Sequence, residues 1–485
     1  MKNSIEIIDC GLLQTILNYS AEAYAADGEE AIQEIMNLFQ LSRVTMLMRT
    51  NRLQSLYLCE MLQSYSIQSQ RYNRYDGDLN TDCIFNNLEY FTKGEEEAIA
   101  DIIKKCSELY LEMTELKEES KNKSKYTIDD FKYGIPVEDA RFILPTAFSC
   151  NKEVTFEGLS ILGLFKLFKC ERGIFPNMYE MLMDEVIRFL NTSDQGKLSA
   201  DGESFMRKII ELLVELTPYT NRVGSERFFN VLGERENIED INLLKDSINK
   251  ESSMHKTGAA ALMCTSTGDI NDIYCSKSEE EFKHITERVA GGQHHMSILN
   301  HVTYSLLMKM SVPCYNQYVR HIHQQCIRED FHLDMLPYFI VPSSVSESPF
   351  LERFLELHVE LCKVIQKLTE NTENDTSASE LSEIRRKYRM DAIKQLYPMG
   401  VELRVVCVTN LQNELKNKFP KRLCNKAQWE MRNVTRGVYS LVSNDIGNDN
   451  ELLNDAKPGC CTKNGCPEGR GHCKDNSDVI KIFKK

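Results

Sequence analysis

The apolar positions of several segments recur every three or four residues, which predicts amphipathic helices. Examples are "ADIIKKCSELYLEM" at 100–113 and "FMRKIIELLVEL" at 205–216. Two longer segments, at 38–61 and 299–322, share one apolar rhythm when they are aligned at an offset of 261. A rhythm shared over that length indicates an internal repeat.

Two further pairs of segments support the repeat. The segment "CERGIFPNMYEML" can be laid over "RLCNKAQWEMR" at an offset of 250, which places Arg172 on Arg422. The same offset aligns three more pairs of like residues: Tyr179 with Trp429, Glu180 with Glu430 and Met181 with Met431. A weaker echo links "GIPVEDAR" with "YPMGVELR". Because all three matches occur in the same order, the chain is predicted to contain two copies of one unit.

The repeat divides the chain into four parts. We predict a first unit at 1–195, a helical linker at 196–255, a second unit at 256–445 and a Gly-, Asn- and Cys-rich tail at 446–485. Each unit also contains a polar run with the composition of a surface loop. These runs lie at 116–127 and 370–380.

Composition narrows the class of protein. At 485 residues, with 42% hydrophobic and 27% charged residues, the chain is predicted to be globular with two or three domains. Its net charge of −14 argues against a general nucleic-acid binder, which needs excess Lys and Arg. The chain has no long apolar run and begins "MKNSIEIIDCG" without signal-peptide features, so no membrane anchor is expected. The 17 cysteines are scattered through helix-like segments, which favours free thiols in a reducing cytoplasm.

Hydroxyls, arginines and aromatic rings are concentrated in "YSIQSQRYNRYD" at 65–76. Ser69 stands two residues before Arg71, and Arg74 follows three residues later. A planar guanidinium forms bidentate, charge-assisted hydrogen bonds with phosphate. A phosphorylated small molecule that carries a ring is therefore one predicted ligand, and a solvated helix end is the alternative interpretation.

The order of short motifs along the chain resembles that of the flavin-dependent thymidylate synthases. Subunits of that family show an early His, then Q-x-x-R-H-R, S-x-R-Y, E-x-A-R-x-x-L-P, and an L-R followed by A-Q-W-E-I-R. This chain is similar to two such subunits fused. The resemblance implies an α+β fold that occurs twice, each copy a curved, mainly antiparallel sheet with helices packed around it.

The first copy keeps the two motifs that carry the nucleotide arginines. S-x-R-Y is present as Ser69, Arg71 and Tyr72. E-x-A-R-x-x-L-P is present as Glu138, Ala140, Arg141, Leu144 and Pro145. The early His and the Q-x-x-R-H-R motif are lost, and their places are taken by Gln40 and by Leu56, Cys59, Glu60 and Met61.

The second copy keeps the complementary set. It has the early His and most of the next motif as His301, Gln317, Arg320 and His321. The last Arg of that motif is Ile322, and the later part of the pattern is present as Arg422 and "AQWEMR". Where S-x-R would fall, the second copy has Asp330 and His332.

Complementary loss implies one working site for each chain. In the family each site lies between two subunits, so a fused pair would form two sites, of which one retains every major part. The resemblance implies that Ser69, Arg71 and Arg141 bind the nucleotide phosphate. It also implies that Gln317 and Arg422 face the uracil, with Arg422 and Ser69 as the catalytic residues. The flavin would be held by His301, Arg320 and His321.

Plainer interpretations stay open for the same residues. Arg71 or Arg141 could form a loose surface ion pair, and His301 could be a satisfied core histidine. Tyr72 is as compatible with packing as with ligand contact. The alternating "AQWEMR" run is typical of helix packing, with its tryptophan in a core or an interface.

The implied reaction methylates dUMP to dTMP through bound FAD, with methylene-tetrahydrofolate and NADPH as co-substrates. Ile322 and the pair Ser66–Ile67 depart from the family pattern, so another pyrimidine nucleotide is an alternative substrate. A non-catalytic, regulatory protein that binds nucleotide or flavin is a second alternative. Two copies in each chain would match a tetramer of single subunits as a homodimer, with no nucleic acid or membrane as partner.

Two groups of His and Cys could bind metal. The tail contains Cys460, Cys461, Cys466 and Cys473 close to His472, but it lacks the C-x-x-C pairs of most zinc sites. A zinc knuckle is therefore one prediction for the tail, and a redox-active or disordered tail is the other. The run "HIHQQCIREDFH" (321–332) also combines His and Cys, but its spacing is not diagnostic.

Overall fold

The computed structural model describes most of the chain. Described are residues 2–456 and 458, without 62, 69–72, 116–133, 192–197, 220, 238, 245–251, 292–294, 321–323, 375–379 and 457. Among the described residues, no helix is both long enough and apolar enough to span a membrane. Their 13 cysteines are all free thiols, as the sequence predicts.

The described strands, numbered in chain order, are β1 Ser4–Gly11, β2 Arg43–Asn51, β3 Gln63–Ile67, β4 Ser149–Glu157, β5 Val223–Gly224, β6 Ile241–Leu244, β7 Thr303–Ser311, β8 Gln325–Glu329 and β9 Glu402–Asn410. The helices are α1 Leu13–Asp27, α2 Ile32–Phe39, α3 Arg52–Cys59, α4 Leu79–Asp82, α5 Lys93–Met113, α6 Val137–Ala140, α7 Ser160–Cys170, α8 Met178–Asn191, α9 Ala200–Leu216, α10 Glu226–Leu232, α11 Ser253–Met263, α12 Ile270–Tyr274, α13 Glu279–Ala290, α14 Val312–Tyr318, α15 Ser343–Ser346, α16 Leu351–Glu373, α17 Glu380–Ile393, α18 Phe419–Arg422 and α19 Trp429–Ile446.

The strands form two mainly antiparallel sheets. One has the order β1-β2-β4-β3, and the other has the order β5-β8-β9-β7-β6. Every described strand pair is antiparallel except the short β5–β8 pair. Helices pack around both sheets, so the predicted α+β class is confirmed.

The internal repeat is visible in the register of the central strands. In the first sheet β2 and β4 pair over nine positions, from Arg43 with Glu157 to Asn51 with Ser149. In the second sheet β7 and β9 pair over the matching nine positions, from Thr303 with Asn410 to Ser311 with Glu402. The offset between the sheets is 260 for the first strand (43 to 303) and 253 for the second (157 to 410).

This register shifts by one residue the predicted alignment between α3 of the first copy and α14 of the second. Both α3 and α14 begin directly after the paired strand, each with a side-chain N-cap. The offset of 260 then sets Gln317 against Tyr57, and Arg320 against Glu60, instead of the predicted Leu56 and Cys59. The offset returns to 261 in the next strand, where Tyr65 and Cys326 take equivalent places opposite β4 and β9.

The chain forms two compact units. Of the described residues, unit 1 contains those of 2–115, 134–222 and 333–401, and unit 2 contains those of 223–332 and 402–458. These units do not follow the predicted repeat boundaries, because Leu333–Val401 packs with the first sheet. The boundaries of the repeat concern sequence similarity, not compactness, and they stay a prediction.

Unit 1 contains a reciprocal backbone pairing between the two copies, in which each segment donates to the other. Thr146 N donates to Tyr397 O at 2.9 Å, and Met399 N donates to Leu144 O at 2.9 Å. Two flanking bonds repeat the exchange, from Ala147 N to Gln395 O and from Gly400 N to Phe142 O, each 2.8 Å long. Each donor and its counterpart are 253 residues apart. The two copies therefore meet here with local two-fold symmetry.

The long helices follow their predicted periodicity. In α5 a capping box at Thr92 and Glu95 fixes the start, and the buried positions recur every three or four residues. They are Ile99, Ile102, Ile103, Cys106, Ser107, Leu109, Tyr110 and Met113. Helix α9 likewise buries the apolar side chains whose spacing predicts the helix. Both helices are therefore stabilised mainly by the apolar side they bury.

Candidate functional site

Arg141 of unit 1 is a buried arginine with a fixed side chain. It begins a 3-10 turn, Arg141–Ile143, that directly follows α6. Its side chain is only 5% exposed, and Nε donates to the carbonyl of Glu138 at 3.0 Å. The first and last residues of E-x-A-R thus contact each other through the Glu138 backbone. The alternative of a loose surface ion pair is wrong for Arg141.

Strand β3 leads directly into the predicted phosphate-binding segment. Its next residue, Gln68, is held on β4 because Gln68 N donates to Asn151 O at 2.9 Å. The buried Arg52, first residue of α3, places Nη2 3.5 Å from the Gln68 carbonyl oxygen. Ser69 and Arg71 themselves lie outside the described residues, and their roles stay predictions.

The chain that follows this segment is attached to the end of α5. Arg74 donates from Nη2 to Leu111 O at 2.9 Å and from Nε to Thr114 Oγ1 at 2.8 Å. Arg74 therefore ends a helix, which is a structural role. Burial raises the pKa of Tyr110, while the nearby charges of Arg74 and Arg141 act to lower it. Arg141 and the end of the motif segment thus lie near the same phenol.

Helix α14 of unit 2 carries two of the predicted polar ligands. Its N-cap is Ser311, whose hydroxyl oxygen accepts from Cys314 N at 3.3 Å. Gln317 lies in the last turn and Arg320 just beyond it, and both are half-buried while most of the helix is buried. The structure thus places Gln317 in the last turn of α14 and Arg320 two residues beyond the end of the helix.

The two predicted histidines differ in how far the structure describes them. His301 ends a 3-10 turn, Met296–His301, directly before β7, and it is exposed. The alternative of a core histidine is therefore wrong. His321 lies outside the described residues, so its assignment to the flavin stays a prediction.

Arg422 ends the short helix α18 and is half-buried. The chain reaches it through a π-helical turn at Asn413–Lys418, a rare helix form that is frequent at functional sites. Lys418 is fully buried and donates from Nζ to the hydroxyl oxygen of Tyr318 at 2.9 Å. Tyr318 directly follows Gln317 on α14. This contact connects the elements that carry Gln317 and Arg422 inside unit 2.

The "AQWEMR" run begins a helix, as predicted, but its buried positions do not alternate: Gln428 and Glu430 are more deeply buried than Trp429. Gln428 is the N-cap of α19, and its side-chain oxygen accepts from Met431 N at 2.8 Å. Glu430 is buried and accepts from Ser311 N at 2.6 Å and from the Ser311 hydroxyl. Trp429 between them is half-buried. The run therefore joins the start of α19 to the start of α14.

In unit 2 the residues at the position of S-x-R, Asp330 and His332, form contacts with other residues of the chain. Glu329 at the end of β8 is fully buried and accepts hydrogen bonds from Arg235 and Arg404. His332 places Nε2 2.9 Å from the same carboxylate, and Asp330 N donates to Gly224 O at 3.1 Å. Burial alone would raise the pKa of Glu329, but His332 and the two arginines lower it to about 2. A carboxylate of the protein thus neutralises the cations at this position.

The predicted metal ligands are separated where the structure describes them. Cys326 is buried in β8 directly opposite Cys407 of β9, whereas His332 lies against Glu329. They do not form a common metal site in the described part of the chain. Cys460, Cys461, Cys466 and Cys473 lie outside it, and the zinc knuckle stays a prediction.

Lys418 and Tyr318 are polar residues that the sequence motifs miss. The spacing of Glu414 and Lys418 is that of an ordinary exposed helix ion pair. The only available signal is position, because Tyr318 follows Gln317 directly and Lys418 stands four residues before Arg422. Burial of the pair becomes evident only in the structure.

Comparison with known proteins gives matches over both sequence copies. Residues 42–178 and 247–445, more than half of the chain, match the model of a family described as "Thymidylate synthase complementing protein". The flavin-dependent thymidylate synthase of Clostridium tetani is 26% identical over 232 residues, which cover 46% of this chain and 90% of that protein. The enzyme of the same name from Geobacter sulfurreducens is 25% identical over 232 residues, covering 47% and 91%. That from Thermococcus onnurineus is 27% identical over 190 residues, covering 37% and 70%. The match in two segments is consistent with a tandem duplication.

Proposed function

Because the chain belongs to the thymidylate synthase complementing protein family, we propose that it methylates dUMP to dTMP with methylene-tetrahydrofolate as carbon donor and NADPH as reductant. The proposal assigns one composite nucleotide site to each chain. One observation carries that assignment: the first copy keeps a buried, positioned Arg141, while the second copy engages its S-x-R position with Glu329.

In the proposed site the first copy binds the phosphate. Arg71 and Arg141 would form charge-assisted hydrogen bonds with it, and Ser69 would add a donor. The buried Nε contact of Arg141 with Glu138 O supports this role, because a guanidinium fixed in advance loses less entropy on binding.

The second copy would act on the base. Gln317 offers a donor and an acceptor, as the imide edge of uracil requires. Arg422 would stabilise negative charge that develops on the ring during reaction at C5. Both residues are half-buried, so neither is enclosed in the core of unit 2.

The residues of unit 2 fit a flavin as polar contacts at an open surface. Arg320 is half-buried just beyond the end of α14, and His301 is exposed, so the His301 ring can donate to a ligand outside the unit. These two residues and His321 would hold FAD, which supplies hydride transfer when bound. The task of the chain is then to bind and orient the ring and to hold the nucleotide beside it.

The activity test starts from the purified protein. We expect a yellow protein that oxidises NADPH only when dUMP and methylene-tetrahydrofolate are present and that releases dTMP. Turnover with another pyrimidine nucleotide in place of dUMP would instead support the alternative substrate. A colourless protein that binds nucleotide without turnover would contradict the enzyme and favour a regulatory binding protein.

Variants test the composite site. Arg71→Ala should weaken nucleotide binding about ten- to a hundredfold, since removing a charged partner costs roughly 1.5–3 kcal/mol, and should leave flavin content nearly unchanged. Arg320→Ala should lower flavin content first. His332→Ala and Cys59→Ala, in the parts of the pattern that each copy has lost, should change neither. Equal effects of Arg71→Ala and His332→Ala on nucleotide binding would contradict a single site.

A further inference from the structure

Unit 2 contains a fully buried ion pair that no motif of the chain includes. Lys418 and Glu414 are each 0% exposed and form a salt bridge within the π-helical turn Asn413–Lys418. Lys418 Nζ also donates to the hydroxyl oxygen of Tyr318 at 2.9 Å and lies 4.2 Å from the centre of its ring. Glu414 Oε1 accepts a second hydrogen bond, from Thr409 Oγ1, at 2.8 Å.

A buried ion pair of this kind adds little to the stability of the fold. Burying two charges costs several kcal/mol per ion, and an apolar pair of similar volume is often as stable or more stable. The pair does orient the groups around it, because a hydrogen bond fixes the relative position of two side chains and apolar contacts do not. Lys418 thus holds Tyr318 at a defined distance and angle.

One bonded element, α14, carries the predicted base contact Gln317, and the other leads directly into α18, which carries Arg422. Tyr318 ends α14 directly after Gln317, and its carbonyl oxygen accepts from the Gln324 side chain. Lys418 precedes α18, whose last residue is Arg422. Burial keeps the pKa of Tyr318 well above its usual value, so the hydroxyl stays neutral and its oxygen can accept from Lys418.

We propose that Lys418 and Tyr318 are positioning residues that set Arg422 relative to Gln317 and so determine how tightly the pyrimidine nucleotide is bound. This inference rests on the proposed function, which places Gln317 and Arg422 at the base. Neither Lys418 nor Tyr318 needs to touch the nucleotide, because each acts through the helix it belongs to. Loss of the bond should let α18 shift against α14 without loss of either ligand residue.

Tyr318→Phe is the cleanest test, because it removes one oxygen and keeps the ring in the core. Tyr304→Phe is a matched control: Tyr304 is also a buried tyrosine of unit 2, and its hydroxyl lies 2.9 Å from Asp445. Binding of dUMP is measured by titration of the flavin-bearing protein, and stability is measured by thermal unfolding. We expect both variants to unfold at lower temperature and only Tyr318→Phe to weaken dUMP binding, about three- to tenfold.

A double-mutant cycle separates positioning from general destabilisation. If Tyr318 acts through Arg422, Tyr318→Phe should have no further effect on dUMP binding once Arg422 is replaced by Ala. Lys418→Met combined with Glu414→Gln removes the bond without leaving a buried charge, and it should repeat the effect of Tyr318→Phe.

The outcomes distinguish the inference from the function on which it rests. If Tyr318→Phe lowers the unfolding temperature as Tyr304→Phe does but leaves dUMP binding unchanged, the positioning role is wrong. Equal weakening in the Arg422→Ala background also overturns it. If Arg422→Ala itself leaves dUMP binding unchanged, the assignment of Arg422 to the base fails first.

Discussion

Arg141 is held by its own turn before any ligand arrives. The alignment of "GIPVEDAR" with "YPMGVELR" sets Arg141 against Arg404, but the strand register has an offset of 253 here and sets it against Lys394. Lys394 lies 3.5 Å from Asp391. Arg141→Ala should weaken nucleotide binding about ten- to a hundredfold, because a charged partner of the phosphate is lost. Lys394→Ala is the matched control and should leave binding unchanged. Equal loss in the two variants, measured by nucleotide titration, would contradict the asymmetric site.

Glu329 makes part of the stability of unit 2 dependent on acid pH. Its pKa falls from an ordinary 4.5 to about 2 in the folded protein, so the group stabilises the fold above pH 4.5. That contribution, on the order of 3 kcal/mol, is lost as the pH falls from about 4.5 to 2. Urea unfolding at several acid pH values should show the loss in the natural chain. Glu329→Gln should be less stable at pH 7 and should lack this part of the pH dependence; an unchanged slope would disprove the assignment.

Single residues differ in how far the sequence predicts them. Arg141 belongs to a motif, and its burial follows from the apolar residues on either side. Lys418 belongs to none, and a lysine four residues after Glu414 is usually an exposed helix partner. The π-helical turn and the packing of Tyr318 reverse that expectation. Long-range packing decides such positions, and no local pattern carries it.

At the scale of elements, Glu430 joins two helices that are far apart in the chain. It accepts from Ser311, so it stabilises the start of α14 from the start of α19. Glu430→Ala leaves a buried backbone N–H without its charged acceptor and should cost roughly 1–3 kcal/mol of unfolding free energy. Glu180, the equivalent residue at the start of α8, is exposed. Glu180→Ala should therefore change stability by less than about 0.5 kcal/mol in the same urea titration.

The sequence predicts the helices better than it predicts how residues of one copy align with residues of the other. The periodic stretches at 100–113 and 205–216 are helices α5 and α9, as predicted. The paired copies are seen in the shared nine-residue register, but the motif offset of 261 is one residue too long for β2 and β7. One additional residue between a helix and the next strand in one copy leaves the spacing of the apolar residues nearly unchanged. Only the hydrogen-bond register places it.

At the scale of the molecule, the chain is expected to act as a homodimer. Two family-like copies in each chain would give four from two chains, which matches a tetramer of single subunits. Light scattering at micromolar concentration should therefore report twice the 56.0 kDa of one chain. A stable monomer with full activity would contradict this expectation. Neither composition nor periodicity predicts the division into units 1 and 2, because Leu333–Val401 belongs to a unit whose other segments lie far away in the sequence.

The reciprocal pairing of Leu144–Ala147 with Tyr397–Gly400 is a contact whose formation does not depend on protein concentration. Between separate subunits, a contact made of a few backbone hydrogen bonds would depend on protein concentration. In this chain both partners are synthesised together and in equal number, so the contact is intramolecular at any concentration. A substitution in one copy is also always matched with an unaltered second copy, never with itself. The two halves can therefore accumulate different substitutions, and no substitution at this contact lies opposite a copy of itself.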